Sequence, residues 1–508
     1  MKTTLKPMLV CAAAVMAQLF VAWCPAAEQP RAVWLAVGHA EFLEAVQPLA
    51  EWRRTQGYET VLSPLPPEEA IRASPRPPQF VLLLGDDAWG PVPPSASAPP
   101  WQLASRRAPF YRWKKTQPEE FATDMSFGDL DQDGVPEVPV GRIPAHTASE
   151  VSAAAAKILR WEKRTPALQD LSMPIWTGDP AFGPLFSQLS LGMLFASLNL
   201  HAPKWVDFWF VDGNPSLPLC GNPFDQAQRY NARITKGGGV FTAMMGHGHP
   251  DHFWSMRLDG KSIHYGIRDA TALTGDQPTP PHVIFACSCG KFQAADRVSL
   301  AEALFAAPGG PVACVAASID SHPLTNYYTS TALLRGLKRE FRQFGALWIA
   351  AQQEAKQRTE RDKERLLAEV EGKLHGVMDP ALLKRDQVLM YNILGDPATA
   401  VFLPKPLTVM TRQSGAECIW EVTAPANATR LLVQFRKPLQ AALPLRDPRM
   451  PAEPANALWE ETNRGFAFRT VAEKKPGEPW TGEIAGPGVV RFVVESPAGL
   501  HAAGVEVK

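Results

Sequence analysis

"FVLLLGDD", residues 80–87, decides the fold. Its apolar residues run without a polar break into a Gly-Asp-Asp turn. A strand with one wet face would alternate, so this run reads as a strand covered on both faces, as in a parallel sheet. The neighbours agree. "RAVWLAVG" (31–38) reads as a strand, "EFLEAVQPLAEWRRTQ" (41–56) as an amphipathic helix ended by Gly57, and "YETVLSP" as the next strand. "VPVGRIPAHTASEVSAAAAKILRWEKR" reads as strand, turn and helix, with Thr147 as N-cap and Glu150 three residues on. The alternation continues through "MPIWTGD", "LFSQLSLGMLFASLNL", "GGVFTAMMGHG", "PHVIFACSCG", "SLAEALFAA" and "GPVACVAASID". This pattern specifies an α/β fold, a mostly parallel sheet flanked by helices. Residues 341–374 read as one long charged helix with a solvated face. From about residue 405 the character changes to short alternating segments such as "CIWEVTA" and "GVVRFVVES", which predict a small antiparallel β-sandwich.

At 508 residues the chain is expected to hold two or three domains. Lysine plus arginine equals aspartate plus glutamate at 51 each, so bulk charge favours neither nucleic acid nor an anionic membrane as partner. Lys2 and Lys6 precede the apolar stretch Met8 to Trp23, and "CPAAEQ" supplies a cleavage site after Ala26 or Ala27, the pattern of an export signal. Cys24 raises a lipoprotein alternative, but the bulky Trp23 fits a lipobox poorly. No other stretch is long enough to span a bilayer. Removing the signal leaves Cys220, Cys287, Cys289, Cys314 and Cys418, an odd count that implies at least one free thiol in an exported chain unless chains cross-link.

His247, Cys287 and Asp320 each sit just past an apolar strand. Parallel sheets bind ligands at the carboxyl ends of their strands, so the three are expected on one rim. A thiolate is the nucleophile in such chemistry, and an imidazole assists its deprotonation and then protonates the leaving amine. Gly248, lacking a side chain, lets its N–H approach a substrate carbonyl and form an oxyanion hole with the N–H of Cys287. A different chemistry competes for the same stretch. His247-x-His249-x-Asp251-His252, with His322 as a further ligand, matches the zinc run of metallo-β-lactamase-type hydrolases. That fold needs antiparallel structure before the motif, and it leaves "FACSCGKF" unexplained. In "DLDQDGVPE" (129–137), Asp129, Asp131 and Asp133 lie two apart before Gly134, like the start of an EF-hand loop. The twelfth position is Val140, so the bidentate glutamate is missing.

Taken together, "MMGHGHPDHFW", "FACSCGKF", "SLAEALF" and "PVACVAASID" resemble the catalytic core of the gingipain-type cysteine peptidases, relatives of the caspases in clan CD. "PLAEWRRTQGYETVLSP", "DMSFGDLDQDGVPEVPVGRIP", "FGALWIAA" and "NILGDPATAVF" extend the likeness in order from about residue 31 to 404. The resemblance implies a caspase/gingipain-like sheet followed by an immunoglobulin-like sandwich. It divides the chain into a signal (1–27), an N-terminal α/β subdomain (28–170), a catalytic α/β subdomain (171–404) and a β-domain (405–508).

The resemblance also implies His247 as catalytic histidine and Cys287, three residues before Gly290, as nucleophile in place of Cys289. Asp179 would orient the histidine. Asp320, with Ser318 and Trp254, would bind substrate, and an acidic Asp320 would favour a basic P1 residue. The family's related loop makes Asp129, Asp131, Asp133 and Glu137 the ligands of a structural Ca2+, whose hard oxygen donors suit calcium and not zinc. No cofactor is expected for catalysis. The function implied is an exported cysteine endopeptidase, secreted, periplasmic or at the cell surface, acting on polypeptides. A protein-processing transpeptidase, an inactive surface-binding relative and the zinc hydrolase stand as alternatives.

Overall fold

The computed structural model describes residues 31–87, 99, 101–111, 119–179, 184–236, 239–294, 296–375, 379–414, 417–439 and 443–507. The expected export signal, with Cys11 and Cys24, lies outside the described residues.

Phe80 to Leu84 are each at most 1% exposed. Val81 and Leu83 join one apolar cluster, while Phe80, Leu82 and Leu84 join another, so the strand is covered on both faces as its composition requires. It is β3 (Pro78–Leu84) of a ten-stranded sheet. The others are β1 (Val33–Gly38), β2 (Glu59–Ser63), β4 (Val140–Ile143), β5 (Ser172–Thr177), β6 (Asp207–Asp212), β7 (Thr242–Met245), β8 (His282–Phe285), β9 (Cys314–Ala317) and β10 (Tyr391–Leu394). Their order is β2-β1-β3-β4-β10-β9-β8-β7-β5-β6. Every neighbouring pair is parallel except β9 and β10. The sheet is therefore mixed: β1 to β4 with β10 run one way, and β5 to β9 the other.

The helix Ala148–Lys163 begins where Thr147 predicts. Its side chain accepts from the Glu150 N–H, and the Glu150 carboxylate accepts from the Thr147 N–H. Two helix readings need correction. Residues 41–56 form two helices, Ala40–Ala45 and Gln47–Thr55, because Pro48 supplies no N–H to continue the first. The long helix over 341–374 is likewise two, Phe344–Gln357 and Arg361–His375, with Arg358 extended between them. The Arg358 guanidinium lies 4.9 Å from the rings of Tyr327 and Tyr328, which fixes this corner. The first helix is no solvated face: Phe344, Leu347 and Trp348 are fully buried.

Beyond residue 404, five strands (405–406, 430–436, 469–474, 488–496 and 499–507) form one sheet and three (409–414, 417–422 and 481–485) another. Trp420, Leu431, Val433, Trp480 and Phe492 share a core drawn from both. A helix the sequence pattern did not announce, Ala452–Phe466, leaves these sheets and covers the edge strand β6. Asn463 accepts from the Phe210 N–H at 2.8 Å and donates to its carbonyl at 3.0 Å, and Trp459 Nε1 donates to the same carbonyl at 2.9 Å. An exposed edge invites another strand, and this helix closes it.

Candidate active site

β7, β8 and β9 lie side by side and point the same way, with Met245 opposite Phe285 and Ile284 opposite Ala316. His247 follows β7 by two residues, Cys287 follows β8 by two, and Asp320 follows β9 by three. The three side chains thus start from one rim, with Cys287 between its partners.

Backbone contact joins the first two. A Cβ on Gly248 would lie 2.4 Å from the Cys287 carbonyl oxygen and 2.6 Å from Cys289 Sγ, so no other residue fits there. Residues His247–His249 pair antiparallel with His252–Leu258, placing Gly248 opposite the buried Phe253 and His247 opposite Trp254. The His247 and Trp254 rings meet edge to face at 5.6 Å on the exposed side of this hairpin.

The two thiols differ. Cys287 is part-exposed, with its Sγ 3.7 Å from the Ser321 carbonyl. Cys289 is fully buried, its Sγ 3.6 Å from the His252 carbonyl, and burial pushes its thiol well up. The turn after Cys287 is stitched to the end of β9. Ser288, in the left-handed region at φ +55, donates its N–H to Ile319 and its hydroxyl to Asp320 Oδ1 at 2.9 Å. Gly290 donates to the Ala317 carbonyl, and a Cβ there would lie 2.7 Å from the Ala316 oxygen.

Asp179 stands on the neighbouring strand end. Its N–H donates to the Ser255 carbonyl at 2.7 Å, and its carboxylate accepts from Ser187 at 3.0 Å. Behind it sits Asp212, a residue the sequence reading passed over. Burial, reinforced by the nearby Asp179 charge, lifts its carboxyl to about 7, against hydrogen bonds from the Thr177 hydroxyl and the Asn214 N–H. Its signal was present in "DFWFVDG", another apolar run closing on Asp-Gly at a strand end. Ser288 and Ser321 were missed because small polar turn residues carry no pattern of their own.

Ser318 does not fit the substrate-binding part expected of it. It is fully buried, and its hydroxyl donates to the Ala122 and Met390 carbonyls at 2.7 and 3.2 Å, bracing β9 against its neighbours. The zinc set fails to assemble as well. His322 is buried as the N-cap of helix Pro323–Gly336, where its Nδ1 accepts from the Leu324 N–H at 3.1 Å. Among the described residues the convergent group there is His249, Asp251 and His252, without His247. The antiparallel structure that hydrolase needs before its motif is replaced by parallel strands. Elsewhere, Asp129, Asp131, Asp133 and Glu137 bring one oxygen each to within 4.8 Å of one another. Asp129 Oδ1 is buried there without a hydrogen-bond partner, and Gln132 and Gly134 take positive φ to turn the loop inward.

The model of peptidase family C25 matches residues 68–402, more than half of the sequence. This chain belongs to peptidase family C25. A polypeptide substrate follows from that membership, as does cysteine peptidase chemistry as the family's type. Three solved structures share the fold. One described only as a protease is 15% identical with a TM-score of 0.53, over 94% of this chain and 97% of that one. The Arg-specific cysteine proteinase gingipain R is 13% identical with a TM-score of 0.51, over 94% and 98%. A complex of pro- and mature domains of the same enzyme from Porphyromonas gingivalis gives 14% and 0.50, over 94% and 100%. No curated protein matches this family member. None of its described helices is long and apolar enough to cross a membrane.

Proposed function

We propose that this chain is an exported cysteine endopeptidase working through Cys287 and His247. One observation carries the reading: the accessible thiol of Cys287 and the imidazole of His247 start from adjacent parallel strand ends, while the neighbouring thiol of Cys289 is buried. Cys287 Sγ attacks the peptide carbonyl carbon as its proton passes to His247. The N–H groups of Gly248 and Cys287 receive the oxyanion. The C–N bond then breaks, His247 returns the proton to the departing amine, and water hydrolyses the thioester to free acid and thiol. Asp179 orients the histidine. Asp320, tethered by Ser288, selects a basic P1 side chain, and Trp254, packed edge to face on His247, contributes to substrate binding.

The oxygen-only donors of Asp129, Asp131, Asp133 and Glu137, with the orphaned Asp129 Oδ1, suit a calcium ion that holds the 129–137 loop. In this reading β1 to β4 belong to the N-terminal subdomain (28–170) and β5 to β10 to the catalytic one (171–404). The two C-terminal sheets form an immunoglobulin-like sandwich, and residues 1–27 direct export. Labelling the folded, reduced chain with acyloxymethyl ketones across a P1 panel tests the proposal. Modification of Cys287 by basic-P1 probes is expected, and absence of any labelling would favour the non-catalytic binder. An added amine that becomes joined to the product would favour a transpeptidase.

A further inference from the structure

The hairpin that carries His247 holds histidines that peptide hydrolysis does not use. Side chains alternate along a strand, so the pairings His247 with Trp254, His249 with His252, and Trp254 with His264 put all five on one face. Phe253 and Tyr265, on the other face, are fully buried in the core. On the outer face, His249 Nδ1 and His252 Nδ1 each lie 2.8 Å from the same oxygen, Asp251 Oδ1. The His249 and His252 rings stack at 5.0 Å, and the His264 ring lies 4.7 Å from that of His252. The turn between them is held from outside, since the Leu300 N–H donates to the Pro250 carbonyl at 2.7 Å.

We infer that His249, Asp251 and His252 bind a divalent transition-metal ion of the zinc class, and that the ion clamps the hairpin bearing His247 and Gly248. Two imidazole nitrogens and one carboxylate oxygen, all within 4.8 Å of one another, make a nitrogen-rich donor set that zinc prefers and calcium does not. The His264 ring packs against His252 outside this three-ligand set, and water completes the coordination. Binding replaces two hydrogen bonds to Asp251 by bonds to the metal, with each neutral imidazole carrying its proton on Nε2. No electrons move. The ion ties His249 to His252 across the turn, two residues from His247. Its effect on hydrolysis rests on the proposed function, whereas its binding does not.

The test uses the full chain carrying Cys287→Ala, so that the thiolate cannot hold the ion, and zinc chloride titrated against a chromophoric chelator. One equivalent is expected to bind. His249→Ala and His252→Ala should each weaken it by at least roughly 10–100-fold, and Asp251→Asn should do the same while keeping the turn's hydrogen-bonding shape. No zinc uptake, or uptake unchanged in both histidine variants, overturns the site. With Cys287 present, zinc should slow peptide hydrolysis, and less so in His249→Ala. Equal slowing in that variant overturns the clamp but leaves the binding result to be judged alone. A chain that cleaves no peptide at all refutes the proposed function and leaves the zinc titration intact.

Discussion

Gly248 and Cys287 meet backbone to backbone, with room for a hydrogen but not a methyl between Gly248 Cα and the Cys287 carbonyl. This close approach sets the spacing of the histidine strand from the cysteine turn, alongside the Gly246 N–H bond to the Phe285 carbonyl and the Cys289 Sγ contact with the His252 carbonyl. Gly248→Ala should push the strand away and misplace both His247 and the oxyanion donor. Peptide hydrolysis is expected to fall by about 10²–10³, with the far-ultraviolet circular dichroism unchanged. Retention of full turnover would show that the contact does not position the site.

The thiols should separate cleanly in mass spectrometry. Cys287→Ala is expected to abolish both hydrolysis and ketone labelling. Cys289→Ala should still be labelled, because the buried thiol is held protonated by its surroundings and faces the His252 carbonyl. Labelling that moves to Cys289 in wild type would reverse the assignment.

Arg53 is fully buried and bridges Asp396 and Glu162, each at 2.7 Å, tying the helix Gln47–Thr55 to helix Ala148–Lys163 and to the turn after β10. Trp34 Nε1 donates to the same Asp396 at 3.1 Å. Arg53→Met would leave two buried carboxylates without a counter-charge. Urea unfolding should show a loss of about 3–5 kcal/mol.

His282 opens β8 fully buried, its Nδ1 2.6 Å from the Thr242 hydroxyl, and burial holds it down to about 3. The unfolded imidazole titrates near about 6.5. Between those values the unfolded chain binds a proton that the folded chain refuses. The stabilising contribution is thus complete above the unfolded pKa and is lost as pH falls toward the folded one, at up to about 1.4 kcal/mol per pH unit. Urea midpoints measured across that window should flatten in His282→Asn.

Chelation tests the acidic loop. EGTA should lower the melting temperature of the wild-type chain and leave that of Asp129→Asn unmoved, and added calcium should reverse the first effect alone. Identical responses in both would remove the ion from the 129–137 loop.

The sheet was legible because burial on two faces leaves a local mark: "FVLLLGDD" has no polar position to spare. The cap at Thr147 was equally local, with its glutamate three residues on, and the same signal at Ser299 with Glu302 went unread. Strand direction was not legible, since an antiparallel neighbour such as β10, buried on both faces, has the same composition as a parallel one. The helix Ala452–Phe466 escaped because its partner, the β6 edge, lies more than two hundred residues away. At the site, His247 and Cys287 announced themselves by following apolar strands beside glycines. Ser318 was expected from the resemblance alone, which says nothing about whether a hydroxyl is already spent on nearby carbonyls.

The reversal between β9 and β10 splits the molecule's loops into two populations. Turns that leave the carboxyl ends of β1, β2 and β3 emerge on the opposite margin from those after β7, β8 and β9. Insertions there lie away from the rim of His247, Cys287 and Asp320, which is built from the loops leaving β5 to β9 and those entering β1 to β4 and β10. Tolerance to sequence change should accordingly be lopsided, generous on one margin and strict on the other.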